Sequence, residues 1–148
     1  MKIAFTILLV ILAVLACGCT GTAPAAPATP TASPSITTTP DLTGIWTGTS
    51  AGHFNAVGFR EQLSPKYNIT EQKGQSFAGS VEYTRPNGTL DSEEFSGVIN
   101  NRGEIFIAQL EAGTVIGDLT GQDTMELSYI EDGPDAKALI VHLTRQKS

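Results

Sequence analysis

The sequence predicts an all-β fold of about eight strands, a barrel or a sandwich by strand count and spacing and here expected to be an antiparallel up-and-down β-barrel, preceded by two segments that do not belong to it. Three observations predict it. From Asp41 onward, segments with period-2 alternation recur roughly every 8–12 residues. Residues suited to tight connections separate them: Lys73-Gly74, Asn87-Gly88, Asn101-Arg102-Gly103, Ala112-Gly113, Gly121-Gln122 and Asp132-Gly133-Pro134, which supply positive or preset φ. The connections are short, which favours sequential antiparallel neighbours.

The 148-residue chain divides into residues 1–19, 20–40 and 41–148. Met1-Lys2 gives a positive start, and Ile3 to Ala16 is an uncharged, largely apolar run. The run falls short of the ~20 residues that cross a bilayer and matches the core of a signal peptide. It ends in Val14-Leu15-Ala16-Cys17-Gly18-Cys19-Thr20-Gly21. This stretch resembles the lipobox of secreted lipoproteins, in which a small residue precedes a cysteine that receives lipid. Gly18-Cys19-Thr20-Gly21 is similar to the form found in surface lipoproteins of methanogenic archaea. The resemblance implies attachment at Cys19, with Cys17 after Ala16 as the alternative. It implies membrane lipid as a partner and an extracytoplasmic, lipid-anchored location at the cell surface.

Thr20 to Pro40 carries no charge, five prolines and one large apolar residue, Ile36. Proline removes backbone donors and fixes φ. The segment has too little apolar surface to offset the entropy of ordering. It is expected to be a disordered stalk, spanning on the order of 60 Å if fully extended. Its serines and threonines are of the kind that carry O-linked sugars.

Each element of the domain follows from its pattern. Thr43 to Ser50 holds the only tryptophan and places Leu42, Gly44, Trp46 and Gly48 on one face. A large ring between glycines suits the closed floor of a small barrel. Phe54 to Arg60 is a weak strand, and Gly52 to Ser64 has room for one helical turn. Lys66 to Gln72, Ser76 to Thr84 and Ser92 to Asn100 follow, then Glu104 to Glu111, Thr114 to Thr120, Asp123 to Ile130 and Lys137 to Gln146. Phe77, Gly79, Val81 and Tyr83 share an inward face, as do Phe95, Gly97 and Ile99; Met125, Leu127 and Tyr129; and Leu139, Val141, Leu143 and Arg145. Glycine beside an inward aromatic permits the bend that closing a barrel requires. Glu104 to Glu111 and Thr114 to Thr120 are apolar on both faces, so alternation does not assign their inside.

Gly44-Ile45-Trp46 on the first strand and Arg145 on the last resemble the calycin signature of lipocalins, fatty-acid-binding proteins and avidins. Leu42-Thr43-Gly44-Ile45-Trp46-Thr47 is similar to the opening strand of avidin-type barrels. The resemblance implies that Trp46 closes one end and that Arg145 lies across it. The physics agrees: an inward, unpaired guanidinium is costly, and stacking on an indole offsets roughly 0.5–2 kcal/mol of that. The alternative is that Arg145, at a strand end, simply reaches water.

Composition excludes several functions. The formal net charge is −6 and no basic stripe is present, which argues against nucleic acid. Both cysteines, Cys17 and Cys19, precede the domain, so it has neither disulfide nor thiol ligand. Two histidines, His53 and His142, lack the carboxylate or cysteine set of a metal site. Glu131-Asp132-Gly133-Pro134-Asp135 lacks the ligand spacing of a calcium loop and reads as a solvated turn. The nucleophile and general-base inventory is thin. No catalytic residue, metal or cofactor is expected, and the protein is not expected to be an enzyme. Asn68-Ile69-Thr70 and Asn87-Gly88-Thr89 fit the N-glycosylation pattern at Asn68 and Asn87.

Two functions remain. One is a binding module for a small hydrophobic ligand held in the barrel mouth opposite Trp46, with Tyr67, Phe77, Tyr83, Phe95 and Tyr129 lining or filling the interior. A continuous apolar pocket of roughly 300 Å³ or more would mark it. The other is a module that engages an extracellular protein, as a protease inhibitor does, through its outer surface and its loops, Gly52 to Pro65 or Arg85 to Glu93, with a filled barrel.

Overall fold

The computed structural model describes residues 38–85, 87–111 and 113–147. Cys17, Cys19 and stalk residues 20–37 lie outside the described residues. The strands are β1 (Gly44–Phe54), β2 (Gly58–Leu63), β3 (Lys66–Lys73), β4 (Ser76–Thr84), β5 (Leu90–Ile99), β6 (Glu104–Gln109), β7 (Thr114–Gly121), β8 (Thr124–Glu131) and β9 (Lys137–Arg145).

β2 and β3 are two halves of one broken strand. Both run antiparallel to β1: β2 pairs from Phe54↔Gly58 to Ser50↔Leu63, and β3 from Thr47↔Lys66 to Gly44↔Ile69. Pro65 stands at the break, where it has no N–H to give to a ladder. A bulge opposite Ala51 puts Gln62 at φ 56°. Counted with the two halves as one strand, the chain forms a closed, antiparallel eight-stranded barrel. Each strand from β3 to β9 pairs with the next, and β1 pairs with β9 from Trp46↔Arg145 to Phe54↔Lys137.

The region of Gly52 to Ser64 is a hairpin, not a helical turn. β1 runs on to Phe54, residues 55–57 turn, and β2 returns from Gly58 at φ 74°. The expected weak strand therefore straddles a turn. His53 and Phe59 face each other across the hairpin with ring centroids 4.8 Å apart, a tertiary pairing that local propensity does not register.

The core settles the two ambiguous strands. Ile105, Ile107 and Val115 point inward and are buried, while Phe106 and Ile116 face out. One inward row runs Ile99–Ile105–Gly117–Leu127–Val141–Ser50 across six strands. On the outside, Val98, Phe106 and Ile116 form a paired row across β5, β6 and β7 and are partly exposed. The seam between β1 and β9 is very close at Gly48: a Cβ there would lie 1.8 Å from the carbonyl oxygen of His142.

Candidate functional site

The two ends of the barrel differ. At one end Leu42 and Trp46 are fully buried. The Trp46 indole N–H donates to the Leu42 carbonyl at 2.9 Å. The Arg145 guanidinium stands 4.5 Å from the centroid of the Trp46 ring. Its Nη1 donates to the Thr43 carbonyl at 2.8 Å and its Nη2 to the Asp41 carbonyl. Its Nε is 3.3 Å from Asp123 Oδ1 but lacks hydrogen-bond geometry, so that contact is an ion pair only. Gln72 finishes the arrangement from β3. Its Oε1 accepts from the Leu42 N–H at 2.7 Å, and its Nε2 donates to the Pro40 carbonyl at 2.9 Å. Residues 40–43 are thus held across the floor by side chains from β3 and β9. Asp41 accepts from the hydroxyl and the N–H of Thr43, which hold its carboxyl below the usual range. Nothing in the sequence marks Gln72 for this role, because its partners lie about thirty residues away.

At the other end is a cavity of about 260 Å³, reached from the connections after β1, β4 and β8. Its wall includes Ser50, Phe54, Tyr67, Tyr83, Tyr129 and Leu139. β3–β4 pairing stops at Lys66↔Glu82, and beyond it Ser64, Pro65 and Thr84 line the cavity from the two sides of a gap. The break at Pro65 therefore opens the barrel sideways as well as at its rim. The volume is slightly below the roughly 300 Å³ typical of ligand pockets. A larger depression of about 660 Å³ lies on the outer wall over β4–β6, including Ala78, Val98, Phe106 and Ala108. It is an open trough on the outer wall, edged by Glu71, Lys73 and Ser96.

Three of the five expected interior aromatics, Tyr67, Tyr83 and Tyr129, are in the cavity wall. Phe77 and Phe95 are instead in the packed core. Their rings are edge-to-face at 6.2 Å, and Phe95 meets Tyr67 at 5.7 Å. The Phe77 ring fills the space over Gly97 that a Cβ would occupy.

Carboxylates surround the tyrosines. The Tyr83 hydroxyl donates to Glu93 Oε1 at 2.5 Å, and the Tyr129 hydroxyl to Glu131 Oε2 at 2.5 Å. Lys137 pairs with Glu131 at 2.5 Å and lies 5.7 Å from the Tyr129 ring centroid. Arg85 pairs with Asp91. Glu93 Oε2 is buried and has no hydrogen-bond partner. Inward placement of Glu93 follows from the alternation that puts Phe95 inside, but nothing in Asp91-Ser92-Glu93-Glu94 gives a reason to expect it behind a tyrosine of the cavity wall.

Burial raises the phenol of Tyr67, and the nearby Glu93 charge adds to this. Burial followed by the carboxylate hydrogen bond raises Tyr83 and Tyr129. These are all the tyrosines of the chain. An unfolded phenol ionises near pH 10. A raised folded value means stability that is intact below about pH 10 and lost as pH climbs toward the folded value. Absorbance at 295 nm should therefore show no native phenolate step near pH 10. Ionisation should instead coincide with alkaline unfolding followed by circular dichroism.

The remaining candidates are dispersed. Asn68 is outward and partly exposed; Asn87 is exposed in the β4–β5 turn, with its Oδ1 accepting from the Thr89 N–H at 3.0 Å. His142 Nδ1 is 3.3 Å from Glu126 on the outer surface. Glu131 is engaged by Lys137 and Tyr129, and Gly133 turns at φ 87°. Among the described residues, no group of three or more His, Cys, Asp or Glu side chains is placed to hold a metal.

No protein family matches the chain, and no curated protein does. Solved structures do match in fold. A redesigned β-barrel aligns with a TM-score of 0.53 and 14% identity over 72% of this chain and 92% of its own. The S-type phycobiliprotein lyase CPES from Guillardia theta aligns at 0.50 with 12% identity over 72% and 89%. EF1p2_mFAP2b, in a structure bound to DFHBI, aligns at 0.51 with 11% identity over 71% and 94%. The neighbours are β-barrel proteins, and at these identities the likeness is one of fold.

Proposed function

We propose that this protein is a membrane-anchored, extracytoplasmic binding protein, not an enzyme, that holds a small, largely apolar ligand in the mouth of its barrel. The observation that carries the reading is the contrast between the ends: a floor filled by Leu42 and Trp46 and a mouth that keeps about 260 Å³ open among aromatic walls. The likeness to a barrel solved with DFHBI and to a phycobiliprotein lyase lends support at the level of fold. The chain enters the barrel at the sealed end, through residues 40–43.

A second reading, a protein-interaction module, is favoured by the β1–β2 arm. Phe59 on that arm is 80% exposed, and among the described residues β2 pairs only with β1, which leaves its other edge without a strand partner there. Native mass spectrometry of the full chain, extracted from membranes in non-ionic detergent, separates the two. The ligand reading expects a bound mass of small-molecule size that Leu139→Trp, which fills the cavity, removes and Phe59→Asp leaves in place. A bound polypeptide lost with Phe59→Asp would support the second reading instead.

The anchor has its own test. Cys19→Ala should abolish the lipid mass increment and shift the protein from the membrane to the soluble fraction, while Cys17→Ala should leave both unchanged. The reverse pattern would assign the lipid to Cys17.

A further inference from the structure

The charges around the mouth are not balanced. Arg85 is neutralised by Asp91 and Lys137 by Glu131. Among the described residues, that leaves Glu93 and Asp135 without an ion-pair partner. Asp135 is in the cavity wall together with the paired cations Arg85 and Lys137, and Glu93 lies behind the wall residue Tyr83, to which it is hydrogen-bonded. Glu111 adds negative charge within reach of Arg85. Because the Tyr83 hydroxyl gives its only proton to Glu93, its remaining lone pair can act only as an acceptor. Ser50 and Gln109, also in the wall, can donate or accept and so favour neither sign. Phe54 and Tyr67 are aromatic residues of the same wall, and an aromatic ring attracts a cation placed over its face. The buried Glu93 Oε2 has no donor at all, an arrangement whose desolvation a positive charge nearby would offset.

We infer that the mouth selects an organic cation: a small amine with an apolar or aromatic body, its ammonium near the Tyr83 oxygen and Glu93, its body among the aromatic walls. This rests on the ligand-binding reading above and sharpens it to one chemical class. Fatty acids and other apolar carboxylates of similar size should be disfavoured, because they would bring a negative charge to Glu93 and Asp135.

The test is a calorimetric titration of the full chain in non-ionic detergent with three probes of similar shape: phenethylamine, 2-phenylethanol and 3-phenylpropionate. Each is repeated on Leu139→Trp to establish that binding is in the cavity. The expected result is that phenethylamine binds at least about tenfold more tightly than 3-phenylpropionate, a difference of about 1.4 kcal/mol. Glu93→Gln should remove most of that preference while 2-phenylethanol binding stays within about twofold. Tyr83→Phe, which keeps the ring and deletes the acceptor oxygen, should weaken the amine alone and serves if Glu93→Gln fails to fold. Equal binding of the three probes in the cavity, or tighter binding of the carboxylate, overturns the cation inference and leaves the ligand reading standing. Absence of cavity binding by all three overturns both.

Discussion

Trp46→Ala should lower the stability of the domain by about 3–5 kcal/mol, the range for large-to-small changes at a buried aromatic. The ring is fully buried, and it forms the surface against which Arg145 and residues 40–43 pack. Its removal opens a void, leaves the Leu42 carbonyl without the indole donor, and leaves the guanidinium without its aromatic face. A domain of this size has total stability of only about 5–15 kcal/mol. At about 4–8 °C per kcal/mol, the midpoint of thermal unfolding should fall by about 12–40 °C. Trp46→Phe should be milder, since it retains most of the apolar contact and chiefly strands the carbonyl, at about 1–3 kcal/mol. A thermal melt followed by circular dichroism measures both. A Trp46→Ala protein that melts within a few degrees of the wild type would mean that the floor is not sealed by this residue.

Gly48→Val should have an effect at least as large. The first added atom would lie 1.8 Å from the His142 carbonyl oxygen, on backbone that cannot rotate away. Relief requires β1 and β9 to separate, and their pairing is what closes the ring. A loss of more than about 4 kcal/mol is expected, which belongs to the exceptional class of point substitutions. Gly74→Ala is the control: it sits at φ 59° with nothing within 4 Å of a new Cβ. It should lose only about 1–2 kcal/mol, the cost of a left-handed non-glycine residue. Denaturant unfolding of the two variants separates a clash at the seam from a general intolerance of glycine replacement.

Strand positions were legible in the sequence wherever one face was apolar. Ser76–Thr84 coincides with the predicted segment, and Phe77, Val81, Phe95, Met125 and Leu143 are buried on the predicted faces. β6 and β7 fall on the predicted segments, but their inward face was not legible, because Phe106 and Ile116 are apolar yet outward. Only their registers with Val98 and with each other distinguish inside from outside. The β1–β2 hairpin was missed for a related reason. Asn55-Ala-Val-Gly58 is a weak turn signal, and the pairing partners of β1 change at the Pro65 break. That break turned out to matter most for the candidate site, since it opens the gap beside Tyr83 and Thr84. The sequence brings Trp46 and Arg145 together only through the premise that first and last strands are neighbours. Of the five aromatics expected inside, the split between wall and core follows height along the barrel axis. The stagger between strands sets that height, and alternation does not report it. Glu93 carries the inferred ligand preference, yet its significance comes from the tyrosines around it, which come from other strands.

The fold and the candidate site both require that β1 and β9 close the ring and that the Trp46 end is sealed. Inter-strand nuclear Overhauser effects across the β1–β9 seam test this most directly. Cross-peaks should run along Trp46↔Arg145, Gly48↔Leu143 and Gly52↔Leu139, and the Arg145 side-chain protons should shift upfield under the Trp46 ring current. Cross-peaks that place β1 and β9 in separate sheets, or Arg145 resonances at solvent-exposed values, would contradict it.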